Sequence, residues 1–164
     1  MNVGIVGIGG LGQMGVRLAK AMGNTVTAIS TSPNKEAAAR EIGADNFVVS
    51  TSPESMAAAG GSLDLILNTV AANHDLNTYL PLLAGGGVLV QLGLALAPHP
   101  VSQVALMMRK LSISGSLIGG IPETQDCIDF CQKHSIVPKI KLVTWKDLEE
   151  VYQSLSTKND SIIR

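Results

Sequence analysis

A chain of 164 residues with 46% apolar side chains and a formal net charge of −1 is long enough to bury a real core as one domain. It has no basic excess with which to hold nucleic acid, and its glycine-broken apolar start lacks the basic flank of a signal peptide. No run approaches the ~18 uninterrupted apolar residues of a membrane span, so no membrane association and a cytoplasmic location are expected.

Val3 to Ile8 is a short apolar run rich in strand formers, and it ends on glycines. Leu11, Met14, Gly15, Leu18 and Met22 then recur at helical spacing as far as Gly23, which predicts strand, tight turn, helix. Thr25 to Ile29 supplies a second strand and completes a βαβ unit. The alternation predicts a helix from Pro33 to Ile42, a strand from Phe47 to Val49, a short helix from Glu54 to Ala59 and a strand in "LDLILNTV". Beyond these it predicts a helix from Asp75 to Leu83, a strand in "GVLVQLGL", a loop rich in Ala and Pro, and a strand in "LSISGSLIGG". A helix from Glu123 to Lys133, the short run "KIKLV" and a last helix from Trp145 to Leu155 follow.

Strands apolar on both faces that alternate with helices imply an α/β fold, doubly wound, with a mainly parallel six-stranded sheet and helices on both faces. Residues 1–164 are read as one domain, without an internal repeat or a linker. Cys127 and Cys131 lie four apart in a predicted helix, which suits packing better than a disulfide framework or a four-ligand zinc site. His74, His99 and His134 are far apart in sequence, with no spacing that sets two ligands on one helical face, so no metal is expected within this chain.

"GIGGLG" places Gly7, Gly9 and Gly12 in G-x-G-x-x-G spacing between a strand and a helix. Gly7 permits the tight turn, Gly9 lets backbone approach a pyrophosphate, and Gly12 lets the helix pack closely on the strand. The helix N-terminus then offers N–H groups and the positive end of its dipole to phosphates. A dinucleotide is the expected ligand; a glycine turn with a purely steric purpose is the alternative.

An Asp or Glu about 20 residues further on would bind a ribose 2′-hydroxyl and mark NAD. That place holds Ser30, Thr31 and Ser32, and no acid occurs from Gln13 to Lys35. Three hydroxyls and a lysine can hold a 2′-phosphate instead, which favours NADP(H). With Ser32 as N-cap and Pro33 as the first helical residue, Lys35 falls in the first turn, where a bound anion would offset its unfavourable interaction with the helix dipole. The plainer alternative is Ser32 as a simple cap and Lys35 as a surface lysine.

With these residues placed, the sequence resembles the cofactor domain of zinc-dependent medium-chain alcohol dehydrogenases, closest to the cinnamyl alcohol dehydrogenase group. "GIGGLG", "ISTSPNK", "EIGAD", "NTVAANH", "GSLIGG" and "ETQDCIDFCQKH" carry the resemblance over nearly the whole chain. It implies a Rossmann sheet in which Gly7, Ile8, Gly9, Gly10, Leu11 and Gly12 hold the pyrophosphate and Ser30, Thr31, Ser32 and Lys35 hold the 2′-phosphate. It further implies that Thr69, Gly93 and the segment Ser116, Leu117, Ile118 line the nicotinamide side; all of these follow or end predicted strands, at the carboxyl edge where open α/β sheets bind ligands. Family members begin with a catalytic domain that carries the zinc sites, and no such segment precedes Met1 here. The family's chain also continues beyond a "KND" that resembles Lys158 to Asp160, whereas this one stops at Arg164. The resemblance therefore implies the NADP(H)-binding half of an enzyme that interconverts aldehydes and primary alcohols, inactive by itself, with zinc confined to the catalytic domain. It also implies a homodimer paired through the edge strand Leu111 to Ile118. A zinc-free quinone or enoyl reductase, and a free-standing nucleotide-sensing module, are the competing readings.

Overall fold

The computed structural model describes residues 1–156. Six strands form one sheet in the order β3-β2-β1-β4-β5-β6, and every neighbouring pair is parallel. The strands are β1 (Asn2–Val6), β2 (Thr25–Ser30), β3 (Asn46–Val49), β4 (Leu63–Asn68), β5 (Leu83–Gln91) and β6 (Ser112–Gly115). The order reverses between β1 and β4, so a crevice opens there at the carboxyl edge of the sheet.

The period of two along each strand sends alternate side chains to opposite faces. Val3 and Ile5 of β1, with Val26 and Ala28 of β2, pack under helix α1 (Gly10–Ala21) and helix α2 (Glu36–Glu41) through Val16, Ala19 and Ala39. Val6, Ile29 and Ile66 face the other way, against Tyr79, Leu80 and Leu82, with Met56 of α3 (Pro53–Ala58) and Leu106 of α4 (Gln103–Arg109) beside them. Helix α1 buries Gly12, Gln13, Val16 and Ala19, one stripe at helical spacing. Two further helices, α5 (Ile121–Lys133) and α6 (Leu148–Ser156), lie beyond β6.

Several expectations are corrected. The helix expected over 75–83 is two short 3-10 turns, Leu76–Thr78 and Leu80–Leu82. Pro81 has no N–H to continue a helix and its ring clashes with the preceding turn. β5 therefore starts at Leu83, and its register against β4 shifts between Leu63 and Leu65, opposite the glycines at 85–87. Helix α4, placed by the sequence in a loop, is capped by the Ser102 hydroxyl, which accepts from the Ala105 N–H at 3.3 Å. It ends on Lys110 in left-handed conformation (φ 55°) rather than on a glycine, which hides its end from a pattern search. "KIKLV" forms no strand; its Lys139 backbone is held by the buried Gln13, whose Oε1 accepts the Lys139 N–H at 3.0 Å and whose Nε2 donates to the Lys139 carbonyl at 3.5 Å. The edge strand covers only Ser112–Gly115 of the expected Leu111 to Ile118. The "KND" at 158–160 lies outside the described residues.

Candidate functional site

The turn after β1 is built by steric necessity. Gly7 has φ +86°, and a Cβ there would meet Val70 Cγ2 at 2.6 Å. At Gly12 a Cβ would lie 1.8 Å from the Gly7 carbonyl oxygen, so α1 crosses β1 closer than any side chain allows. The Thr69 hydroxyl sits 2.8 Å from the Val6 carbonyl and 2.9 Å from the Gly7 carbonyl, which pins the turn to the end of β4. Thr69 is thus brought against the glycines, with its hydroxyl aimed at the turn.

Gly9 is the N-cap of α1 in ordinary extended conformation, with no side chain capping the helix and no acid in its first turn. The first intrahelical bond runs from the Gln13 N–H to the Gly9 carbonyl at 2.9 Å, so the N–H groups of Gly10, Leu11 and Gly12 have no partner within the helix. Ile8 is buried and Leu11 is exposed. A helix N-terminus with no acid or side-chain cap on a glycine turn has the chemistry to seat a phosphate.

Next to this seat, Lys35 crosses from the β2 side: its Nζ donates to the Ile8 carbonyl at 3.2 Å. Pro33–Lys35 is a 3-10 turn with Ser32 as its N-cap, and α2 begins only at Glu36, so Lys35 precedes that helix rather than lying inside its first turn. Ser30 is buried, and its hydroxyl accepts the Ser32 N–H at 3.2 Å, closing the turn. The Thr31 side is exposed and its carbonyl accepts the Thr51 hydroxyl at 3.3 Å. Ser30, Thr31, Ser32 and Lys35 therefore gather at one corner of the crevice, Ser30 with its hydroxyl turned inward.

Gly93 is buried at the end of β5, where a Cβ would lie 2.3 Å from the Val70 carbonyl carbon and oxygen. Ser116, Leu117 and Ile118 follow β6 at the same edge, two strands from β4; the Ser116 N–H donates to the Gln91 carbonyl at 3.2 Å, and Leu117 and Ile118 are 81% and 90% exposed. All of these segments follow strands at the same carboxyl edge, with Thr69 against the glycine turn, the Ser30 to Lys35 corner after β2, and the 116–118 segment after β6, next to the β5 end that leads to Gly93.

A polar cluster that the sequence reading passed over lies beneath Thr69 and Gly93. Asn68, fully buried, donates through Nδ2 to Gln91 Oε1 at 2.7 Å and lies 2.8 Å from His74 Nε2. Gln91 Nε2 donates to the Gly93 carbonyl at 2.7 Å, and Asn68 Oδ1 accepts the Val70 N–H at 3.3 Å. His74 Nδ1 is 2.7 Å from the Ala72 carbonyl, which can only accept, so Nδ1 carries the proton and Nε2 accepts from Asn68. Two amide residues that end the strand runs "LDLILN" and "GVLVQ" were the available signal, but only the register Asn68↔Gln91 joins them.

Other candidates stay apart. His74 and His99 do meet, with ring centroids 5.7 Å apart, yet among the described residues no three His, Cys, Asp or Glu side chains gather to hold a metal. Cys127 is exposed rather than packed, while burial and the neighbouring Cys127 thiol push the half-buried Cys131 thiol up. Among the described residues no helix is long and apolar enough to cross a membrane.

The zinc-binding dehydrogenase family matches over residues 10–133. An aldehyde reductase of Escherichia coli (YahK) is 46% identical over 155 residues, and an NADP-dependent alcohol dehydrogenase C of Mycolicibacterium smegmatis is 44% identical over 152. The matches cover 94% and 93% of this chain, which spans 44% of the length of each relative. Among solved structures, a cinnamyl alcohol dehydrogenase from Sorghum bicolor superposes with a TM-score of 0.90 at 35% identity, and one from Helicobacter pylori, complexed with NADP(H), with 0.82 at 35% identity. Each covers 94% of this chain and 44% of the solved chain.

Proposed function

The chain belongs to the zinc-binding dehydrogenase family, and on that premise we propose that it is the NADP(H)-binding part of an alcohol dehydrogenase acting on aldehydes and primary alcohols. The relatives that carry these activities by name are about twice as long, so the activity belongs to the whole enzyme. The observation that carries the choice of cofactor is the Lys35 Nζ bond to the Ile8 carbonyl at 3.2 Å. It plants a cation between the phosphate seat and the acid-free end of β2, where an adenosine 2′-phosphate would lie.

The residues present fit the dinucleotide. Gly7, Ile8, Gly9, Gly10, Leu11 and Gly12 would hold the pyrophosphate through backbone N–H groups and the α1 dipole. Ser30, Thr31, Ser32 and Lys35 would hold the 2′-phosphate, the lysine by a charge-assisted bond. Thr69, Gly93, Ser116, Leu117 and Ile118 would line the nicotinamide side. When bound, the cofactor gives or takes the hydride exchanged with the aldehyde or alcohol. Among the described residues no three His, Cys, Asp or Glu side chains gather to hold the family's zinc, and the role proposed for this chain's own residues is to hold and aim the dinucleotide. A cytoplasmic setting belongs to the same proposal, supported by the free thiols of Cys127 and Cys131, and so does a homodimer paired through β6.

Calorimetric titration with NADP(H) and NAD(H) tests the cofactor. The wild type is expected to prefer NADP(H), and Lys35→Glu to bind it at least about tenfold more weakly, the loss of one charge-assisted phosphate contact. Equal affinity of the wild type for both cofactors would overturn the assignment.

A further inference from the structure

Thr69 and Gly93 sit on two loops that follow different strands, and something must hold those loops in register. Backbone contacts do part of it: the Leu92 and Gly93 N–H groups donate to the Asn68 carbonyl at 2.9 and 3.0 Å. The rest is the side-chain chain His74–Asn68–Gln91–Gly93. Its direction is fixed throughout. The Ala72 carbonyl sets the His74 tautomer, the accepting Nε2 orients the Asn68 amide, Asn68 Nδ2 orients Gln91 Oε1, and Gln91 Nε2 then faces the Gly93 carbonyl. Flipping either amide would set donor against donor or oxygen against oxygen at two places, in a cluster whose centre is fully buried.

We infer that this chain is a positioning device for the nicotinamide half of the cofactor, with Asn68, Gln91 and His74 as positioning residues that touch no reacting atom themselves. The inference rests on the NADP(H) reading above. The cluster ties the β4 loop at Val70 to the β5 loop at Gly93, and these loops already approach within the space of a single Cβ. Among the described residues none of its side-chain hydrogen bonds reaches Ser30, Ser32 or the first turn of α1. Its loss should therefore move the nicotinamide side and leave the adenosine side where it is.

The experiment compares two probes, NADP(H) and adenosine 2′,5′-bisphosphate, on the wild type and two variants. Gln91→Met keeps the length of the side chain and removes both of its bonds. His74→Phe keeps the ring that packs edge-on to Tyr79 and removes both nitrogens. Folding of each is checked by its thermal midpoint, and if Gln91→Met does not fold, His74→Phe decides. The expected result is adenosine 2′,5′-bisphosphate affinity within about twofold of the wild type and NADP(H) affinity lower by roughly three- to tenfold, as for one network hydrogen bond. Equal weakening toward both probes would reduce the cluster to general support of the fold and overturn the inference, as would unchanged binding of both. A wild type that binds neither probe would overturn the cofactor reading beneath it, an outcome visible before any variant is made.

Discussion

Val3, Ile5 and Val6 in β1 are each 2% exposed or less, while Leu117, Ile118 and Ile121, just past β6, are 81%, 90% and 87% exposed. The residue types are the same; what differs is the place in the sheet. β1 has strands on both sides and helices on both faces, whereas β6 has one neighbour, and after Leu111 no described residue is buried. Apolar sequence states that a surface needs cover without stating what covers it. In the first half the cover is this chain's own α1 and α2. Around β6 the apolar side chains of Leu117, Ile118 and Ile121 have no such cover among the described residues, and the proposed homodimer would be one way to supply it.

The contrast is broken most severely at the glycine turn. Gly12→Ala sets a methyl group 1.8 Å from the Gly7 carbonyl oxygen, backbone that cannot yield locally. A loss of at least about 4 kcal/mol is expected in denaturant unfolding, among the largest for a single substitution. Next comes a matched pair: Ile5→Ala, at a site with no exposure, should lose about 3 kcal/mol, and Ile118→Ala, at a site 90% exposed, less than about 0.5. Similar losses at the two sites would erase the distinction between self-covered and open halves.

The edge itself is probed by proline. The Ser116 N–H points to β5, and N–H directions alternate along a parallel strand, so the Ser114 N–H turns inward and the Ile113 N–H faces the open edge. Ile113→Pro should leave the pairing of β5 with β6 standing and convert a dimer to monomers in light scattering. A wild type monomeric at micromolar concentration, or a variant that stays a folded dimer, would remove this edge as the interface.

The smallest effect lies at Asp45 in the self-covered half. Its carboxylate accepts from Lys20 Nζ at 2.5 Å and from the Val26 N–H at 2.8 Å, and these bonds, that from Lys20 foremost, hold its pKa below the ordinary value of 3.8. A carboxyl lowered on folding stabilises the fold fully above its ordinary value and loses that contribution as pH falls through the lower, folded one. Against Asp45→Asn, the wild type should be more stable by under about 1 kcal/mol at neutral pH, and pH-dependent unfolding should show the difference vanish in strong acid.

The βαβ start was legible because each of its signals is local. The strand run, the glycine spacing and the stop at Gly23 all act within a few residues, and α1 and β2 fall within a few residues of their expected places. The acid-free end of β2 could be read the same way. The stretch from Asp75 to Gly86 was not, because Pro81 breaks the helical pattern from within and the glycines at 85–87 carry a bulge that depends on β4, although the strand expected in "GVLVQLGL" stands over Gly87 to Gln91. Lys35 was legible as a cation near the site, but not its bond to Ile8, which joins residues 27 apart through the fold. Asn68 and Gln91 are invisible as a pair until β4 and β5 are set side by side.

The Gln13 clasp on Lys139 joins positions 126 apart along the chain. Closing a flexible loop of that length costs on the order of 4 kcal/mol in chain entropy, more than two ordinary hydrogen bonds return. The clasp cannot hold itself shut. It persists because α1 and the sheet have already drawn the distant segments together, and the Lys139 ammonium adds a second tie, to the Glu41 carboxylate of α2 at 3.0 Å. The segment beyond it is thus fastened by contacts that are conditional on the fold before them.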